Sequence, residues 1–408
     1  MAALELGNVD RGNMPTNIRE FLNTYHRDLK SETKRRLQWR DEANGAWKSF
    51  KEIPGKDVEQ LQRFLKQNGF FPNARCSGIF GYGTLAAARL FQEYVRTVEN
   101  KPDIGVADGI VGSKTWAHID RWKRDGVVNT WSQWNAHHPS PENKMWFELL
   151  ESARSYFQQQ KGGVLEQIRT YPAPSDTLPP EHWTYHREEP HLIGIRRNQD
   201  QSAENRTNDD LFILLIKGLC FTFWGSTDPN AALSRKDEPF LVESQHKYRI
   251  GWHWVSQDHK VYKALKPYAN GVLCHRDVDN DNALSEQDLK VNLKDVPENP
   301  NKTINIHWSG DGDYNFSAGC QVIAGKSYIS NNGEMIDHRK FASDSYAGLA
   351  AGKTRGAYNV ITDLVACYTP LGRDYVWYTL GNEARLNQIN PNFSKNFTQD
   401  TVKKLKFT

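Results

Sequence analysis

The sequence predicts an α+β fold divided among several domains, on three observations. Apolar residues recur at helical spacing as far as Gln160. From about Val164 they give way to short runs rich in β-branched and aromatic residues, broken by Gly, Pro, Asn and Asp. The length, 408 residues, allows two or three domains, each with a useful core. The shifts in character divide the chain into an N-terminal helical segment (1–50), a compact helical unit (51–125), a helical linker (126–165), a mostly-β domain (166–385) and a tail (386–408).

Each element has its own warrant. Ile18, Phe21, Leu22, Tyr25 and Leu29 fall at helical spacing, so one or two helices are expected over residues 15–45, with Lys34, Arg35 and Arg36 on a solvated face. Val58, Leu61 and Leu65, then Leu85, Ala88 and Phe91, mark two amphipathic helices separated by glycine turns. The same unit holds a repeat: Gly78 to Thr84 and Gly109 to Thr115 both read Gly-Ile-x-Gly-x-x-Thr, 31 residues apart. The glycines suit a tight, partly left-handed turn, the Ile is expected to plug the core, and the Thr to cap the following helix. Trp146, Leu149, Leu150, Ala153 and Tyr156 define a helix from Met145 to Gln160, ended by the Gln158–Gly163 stretch. Strands are expected within Leu211–Phe223, Lys247–Trp254, Val272–Arg276 and Thr303–Trp308, and the polar last twenty residues form a peripheral helix or tail.

Composition removes some function classes. Fifty-two basic residues against 49 acidic ones leave a net charge of +3 with no dense Lys/Arg stripe, so nucleic acid is not an expected partner. No run of about 18 apolar residues exists, so no membrane span is expected. The first residues lack a basic start followed by an apolar core, which reads as a chain made in the cytoplasm without a secretory signal. Five widely spaced cysteines (Cys76, Cys220, Cys274, Cys320 and Cys367) include no CxxC pair, which points to reduced thiols, most of them buried.

Residues 55–123 resemble the type 1 peptidoglycan-binding module, a small three-helix domain. The resemblance rests on Val58, Leu61-Gln62, Leu65 and Gly69, on Gly78-x-Phe80-Gly81-x-x-Thr84 and Phe91-Gln92, and on Asp108-Gly109-x-Val111-Gly112-x-x-Thr115-Trp116. Ser77 departs from the pattern, which has Asp before the first glycine. The resemblance implies a muropeptide groove near Asp108, Gly109 and Trp116.

Residues 304–323, INIHWSGDGDYNFSAGCQVI, resemble the catalytic motif of YkuD-type L,D-transpeptidases: a His on one strand, a glycine-containing loop, then Ser/Thr-His-Gly-Cys entering the next strand. His307 matches the first part and Ser317-Ala318-Gly319-Cys320 the second. The resemblance makes Cys320 a nucleophile and His307 its base, and places Ser317 and Gly319 with them in the catalytic set. A hairpin-like connection of about a dozen residues is expected to bring imidazole and thiol together, the imidazole taking the thiol proton. Gly319 would allow close approach, and the Cys320 N–H would help bind an oxyanion. Ala318 replaces the second His of the motif, and Gln321-Val322 stands where many members have an apolar residue followed by Arg. Trp308, Gln321 and His253 are the expected substrate contacts, although a packed strand histidine is the ordinary role for His253 between its two tryptophans.

The other cysteines read as packed, Cys274 and His275 pointing to opposite strand faces, and His137-His138 as exposed. Asp277, Asp279, Asp281 and Asp288 follow the spacing of a calcium loop, but Asn282 and Asp288 replace its usual Gly and Glu. An acidic hairpin loop is expected there, and neither metal nor cofactor. The expected whole is a small three-helix peptidoglycan-binding module followed by a mostly-β L,D-transpeptidase-like catalytic domain, with peptidoglycan as partner. Its chemistry is attack on a stem-peptide bond through an acyl-enzyme, with hydrolysis and transpeptidation both open. A phage lysin or a secreted antibacterial effector, delivered to the periplasm or wall by another system, fits best. The rivals are a non-catalytic wall-binding or virion structural protein, and a glycosidase, for which no carboxylate pair is evident.

Overall fold

The computed structural model describes residues 3–15, 38–40, 47–197, 208–229, 237–255, 260–281, 283–312, 315, 317–344 and 349–407. The helices expected over residues 15–45 fall almost wholly outside them. The described residues as far as Ile53 contribute short strands: β1 (Asn8–Asp10), β2 (Gln38–Arg40), β3 (Trp47–Ser49) and β4 (Lys51–Ile53), with β1 parallel to β4 and β2 antiparallel to β3.

Three helices follow: α1 (Asp57–Gln67), α2 (Tyr82–Thr97) and α3 (Ser113–Asp125). The buried Asp10 carboxylate caps α1, accepting from the Val58 N–H at 3.0 Å and the Glu59 N–H at 2.8 Å. Gly126, left-handed at φ +62°, closes α3. Phe64, Phe70, Phe91, Tyr94 and Trp122 meet edge to face between the helices, with ring centroids 5.2 Å apart for Phe64–Phe91 and 5.3 Å for Phe91–Trp122.

The sequence repeat is also a structural one. Gln62 accepts from the Gly78 N–H at 3.0 Å and donates to the Ile79 carbonyl at 2.8 Å and the Thr84 hydroxyl at 3.0 Å. Gln92 accepts from the Gly109 N–H at 2.8 Å and donates to the Ile110 carbonyl at 3.0 Å and the Thr115 hydroxyl at 3.1 Å. Two expectations change here. Thr84 and Thr115 are not caps; Gly81 and Gly112 hold those positions, and the threonines serve the glutamine clamps. Ile79 is buried, but Ile110 is 44% exposed, and the residues after them, Phe80 and Val111, fill the core.

The β-rich part opens with α4 (Pro141–Gln159), whose N-cap Ser140 accepts from the Asn143 N–H at 3.3 Å ahead of a proline at N1. There follow α5 (Gly163–Arg169), β5 (Thr177–Leu178), β6 (His191–Arg196), β7 (Asp210–Ile216), β8 (Leu219–Ser226), β9 (Pro239–Leu241), β10 (Gln245–Val255), β11 (Lys260–Pro267), β12 (Cys274–Arg276) and α6 (Glu286–Lys290). The chain ends with β13 (Ile306–Trp308), β14 (Gln321–Ile323), β15 (Ser327–Ile329), β16 (Met335–Asp337), α7 (Ala357–Tyr368), β17 (Val376–Asn382), α8 (Glu383–Ile389) and α9 (Gln399–Lys406).

Among the described residues the sheet closes on itself as a mixed barrel in the order β14-β13-β11-β10-β17-β6-β7-β8, with β8 pairing back to β14. β6–β17 and β13–β14 are parallel, and the other neighbours in that ring are antiparallel. β7 and β8 read as one apolar run because both their faces are covered. Phe212, Leu214, Phe221 and Phe223 join Tyr248 and Tyr378 in one cluster; Leu211, Ile213 and Leu215 pack on the other face with Trp146 and Phe147 of α4 and Val402 and Leu405 of α9. The last residues are thus helical and docked.

The helical unit and the barrel share one apolar cluster, continuous from Leu61, Phe64 and Leu90 through Ile361 and Leu364 of α7 to the strands. Charge crosses the same seam. Arg89 of α2 makes two 2.7 Å hydrogen bonds to Asp363 of α7, and Lys263 lies 3.3 Å from the same carboxylate. Nearby, Glu93 accepts from Tyr328 and His338, both at 2.9 Å, and pairs with Arg96. Burial alone would raise Glu93, but His338 and Arg96 hold it well below the usual carboxylate range.

Candidate active site

β13 and β14 lie side by side and parallel, which corrects the hairpin expected from sequence. The loop between them is a crossover, not a turn-back. The consequence for geometry is direct. Cys320 sits just before β14, beside the start of β13: the Gln321 N–H donates to the Asn305 carbonyl at 2.9 Å, and the Asn305 N–H points at Cys320 Sγ, 3.3 Å away. His307 pairs with Val322. Residues two apart on a strand share a face, and so do partners in a parallel pair, so Asn305, His307 and Cys320 all present to one side.

Burial separates Cys320 from three of the other thiols. Cys320 is half-buried, as is Cys76 in the helical unit, whereas Cys220, Cys274 and Cys367 are buried. Burial pushes the Cys274 thiol up to about 11 and raises Cys220 and Cys367 as well, which keeps all three protonated and unreactive. The Cys320 S–H donates to the Thr303 carbonyl at 3.3 Å.

His307 is buried on β13. Its Nδ1 lies 2.9 Å from the Trp308 carbonyl and 3.2 Å from the Tyr262 hydroxyl. A carbonyl only accepts, so Nδ1 carries the proton and Nε2 is the basic nitrogen of the neutral ring. Burial drives this imidazole down to about 4, so it is neutral at pH 7. His253 of β10 stacks on it, with centroids 4.1 Å apart and planes 20° from parallel. Burial, reinforced by His307, drives His253 down to about 2. The Asn305 amide contacts His253 Nδ1 at 3.4 Å, so this one residue touches both the thiol and the second imidazole.

The loop before Cys320 is held by its own polar groups. Asn315 accepts from the Ser317 N–H at 2.8 Å and donates to the Asp228 carbonyl at 2.8 Å, and the Ser317 hydroxyl accepts from the Gly319 N–H at 3.3 Å. Gly319 has φ +151°, and a Cβ there would stand 2.4 Å from Pro239 Cγ. Ser317 and Gly319 therefore fix the path of the backbone into Cys320.

Other expected contacts lie elsewhere. Gln321 is buried on the opposite strand face, where its side-chain oxygen accepts from the Tyr378 hydroxyl. Trp308 is 1% exposed, with the Arg355 guanidinium 5.3 Å above its ring. Neither stands open to a substrate. In the helical unit, Trp116 is a core residue at 5% exposure, which removes it from any groove wall. Asp108 is exposed and accepts from the Ile110 N–H at 2.8 Å; Ser77 does the same for Ile79 at 3.3 Å in the first repeat, so the departure from Asp keeps the turn. Gly109 is buried at φ +83°, and a Cβ there would lie 2.4 Å from Leu85. His137 and His138 are exposed.

Asp277, Asp279 and Asp281 bring carboxylate oxygens within 4.8 Å of one another, but Asp288 spends both of its oxygens on the Val278 N–H at 2.8 Å and the Ser285 N–H at 2.6 Å, as the capping box of α6. Among the described residues no helix is long and apolar enough to cross a membrane. Asn305 and Tyr262 escaped the sequence reading. Asn305 was within reach of strand alternation, two positions before His307, but nothing local marks Tyr262, which arrives from β11.

Comparison with known proteins returns no matching family model, no matching curated protein and no matching solved structure.

Proposed function

We propose that the protein is a peptidoglycan-targeted cysteine enzyme that acts on stem-peptide bonds through a Cys320 acyl-enzyme. The observation that carries this reading is the arrangement across β13 and β14: a half-buried thiol at the start of one strand, and on the same face of its parallel neighbour a neutral imidazole whose Nδ1 is committed to a backbone carbonyl. In the proposed step, Nε2 of His307 accepts the thiol proton as sulfur attacks the peptide carbonyl. The amine leaves with a proton returned from the imidazolium, and water or a second amine resolves the thioester. The helical unit, with its paired glutamine clamps, supplies the wall-binding part of the reading. Action outside the cytoplasm, as a lysin or a delivered effector, belongs to the same proposal.

One observation favours a second reading, a non-catalytic wall-binding or virion structural protein. The Cys320 thiol donates to the Thr303 carbonyl, the bond of a protonated, resting sulfur. Digestion of purified peptidoglycan, with muropeptides sorted by mass, separates the two. Shortened stem peptides or cut cross-links with wild type, lost in Cys320→Ala, support the enzyme and identify the bond. Equal products from both proteins overturn Cys320 as the nucleophile, and a wall left unchanged by wild type supports the structural component.

A further inference from the structure

We infer that His253 is a positioning residue for the cysteine–histidine pair, holding the His307 ring in place by stacking and setting the strand segment beside Cys320 through Asn305. The inference rests on the proposed reading of Cys320 and His307 and adds to it a part that their motif does not contain. His253 lies 54 residues upstream of His307, on a strand that is not the neighbour of β13.

Three contacts carry it. The two imidazoles overlap almost face to face, at 4.1 Å and 20°, a geometry that fixes ring plane as well as ring position. The far side of the assembly is closed by Tyr262, whose ring lies 5.2 Å from His253 and 6.3 Å from His307 and whose hydroxyl reaches His307 Nδ1. The third contact is the Asn305 amide. It donates to His253 Nδ1 at 3.4 Å, while the N–H of the same residue faces Cys320 Sγ at 3.3 Å. A shift of His253 is therefore transmitted to both members of the pair, to the base directly and to the thiol through one residue. The charged groups facing the stack also matter. Lys266 of β11 acts on His253, and a positive charge on one ring opposes one on the other, so the stack carries at most one positive charge at a time. That fits a base which must gain a single proton during the reaction and give it back. A neutral partner ring also keeps water from the buried face of His307.

The test is the rate at which iodoacetamide alkylates Cys320, followed across pH by mass spectrometry of the Cys320 peptide in the full-length protein. Wild type is compared with His253→Phe, His253→Ala and His307→Ala, and melting temperatures are taken alongside. His253→Phe keeps a stacked ring; His253→Ala removes it and admits water. The expected result is a rate at least tenfold slower in His253→Ala, with the pH of half-maximal rate displaced by about one unit, and recovery of most of the loss in His253→Phe. A purely structural role would lower the melting temperature of both variants without moving the pH profile. A profile unchanged in His253→Ala, or His253→Phe no better than His253→Ala, overturns the inference while leaving the pair intact. Wild-type alkylation indifferent to His307→Ala overturns the cysteine–histidine reading itself, and the positioning role with it.

Discussion

Gly319 shows how narrowly the position of one thiol is set. Its φ of +151° is open to glycine and costly for other residues, and any side chain would meet Pro239 of β9. Gly319→Ala is expected to destabilise the protein by about 1–3 kcal/mol and to slow Cys320 alkylation at least tenfold by displacing the sulfur. A variant that melts lower yet alkylates at the wild-type rate would show that the loop absorbs the strain without moving the thiol. That Cys320 and His307 stand on neighbouring strands, with Gly319 at the entry to the second, was legible in the sequence from residue type and spacing. Gln321, Trp308 and Trp116 were misread because a side chain's face depends on register. Gln321 lies one residue beyond Cys320, and on a strand that single step turns it from the site to the packed interior.

Among the elements, the glutamine clamps are the clearest case of a pattern whose existence was legible and whose purpose was not. The repeated Gly-Ile-x-Gly-x-x-Thr was visible, but Gln62 and Gln92 lie well upstream of their turns, and capping was the only local use the threonines offered. Each clamp satisfies a buried N–H, a carbonyl and a hydroxyl. Gln92→Leu would strand the buried Gly109 N–H, at about 1–3 kcal/mol for an unsatisfied group, and leave the Thr115 hydroxyl and the Ile110 carbonyl only their mutual 3.5 Å contact. The expected result is a fall in unfolding free energy of at least about 1 kcal/mol in urea melts, matched by Gln62→Leu. A loss below 1 kcal/mol in either would mean that water replaces the amide. The crossover between β13 and β14 was misread for a related reason: two strands twelve residues apart permit either hand of return, and only the barrel's closure through β8 selects the parallel one.

For the molecule as a whole, acid is the expected weak point. Burial holds His191, His275 and His307 down to about 4 and His246 down to about 3. An unfolded histidine titrates near 6.5, so as pH falls from there towards 4 the unfolded chain takes up protons that the native chain refuses, and stability declines. At pH 5 each such group costs about 2 kcal/mol, against a total stability of order 5–15 kcal/mol. Glu93, depressed by its cations, adds a loss of the same sign at lower pH. The melting temperature should therefore fall steeply between pH 7 and pH 5 at constant ionic strength; a flat profile would mean that the histidines reach solvent. The change from helical to strand periodicity near Val164 was visible in the sequence, but not the sharing of one core across it, since periodicity reports which face is buried and not what covers it. That shared seam limits how the chain can be cut. A barrel excised after residue 125 would lose the guanidinium of Arg89 and the carboxylate of Glu93, leaving Asp363, Lys263 and His338 on a newly exposed apolar wall. Grafting the helical unit onto another protein, or producing the barrel alone, would thus begin from two adhesive fragments rather than two interchangeable parts.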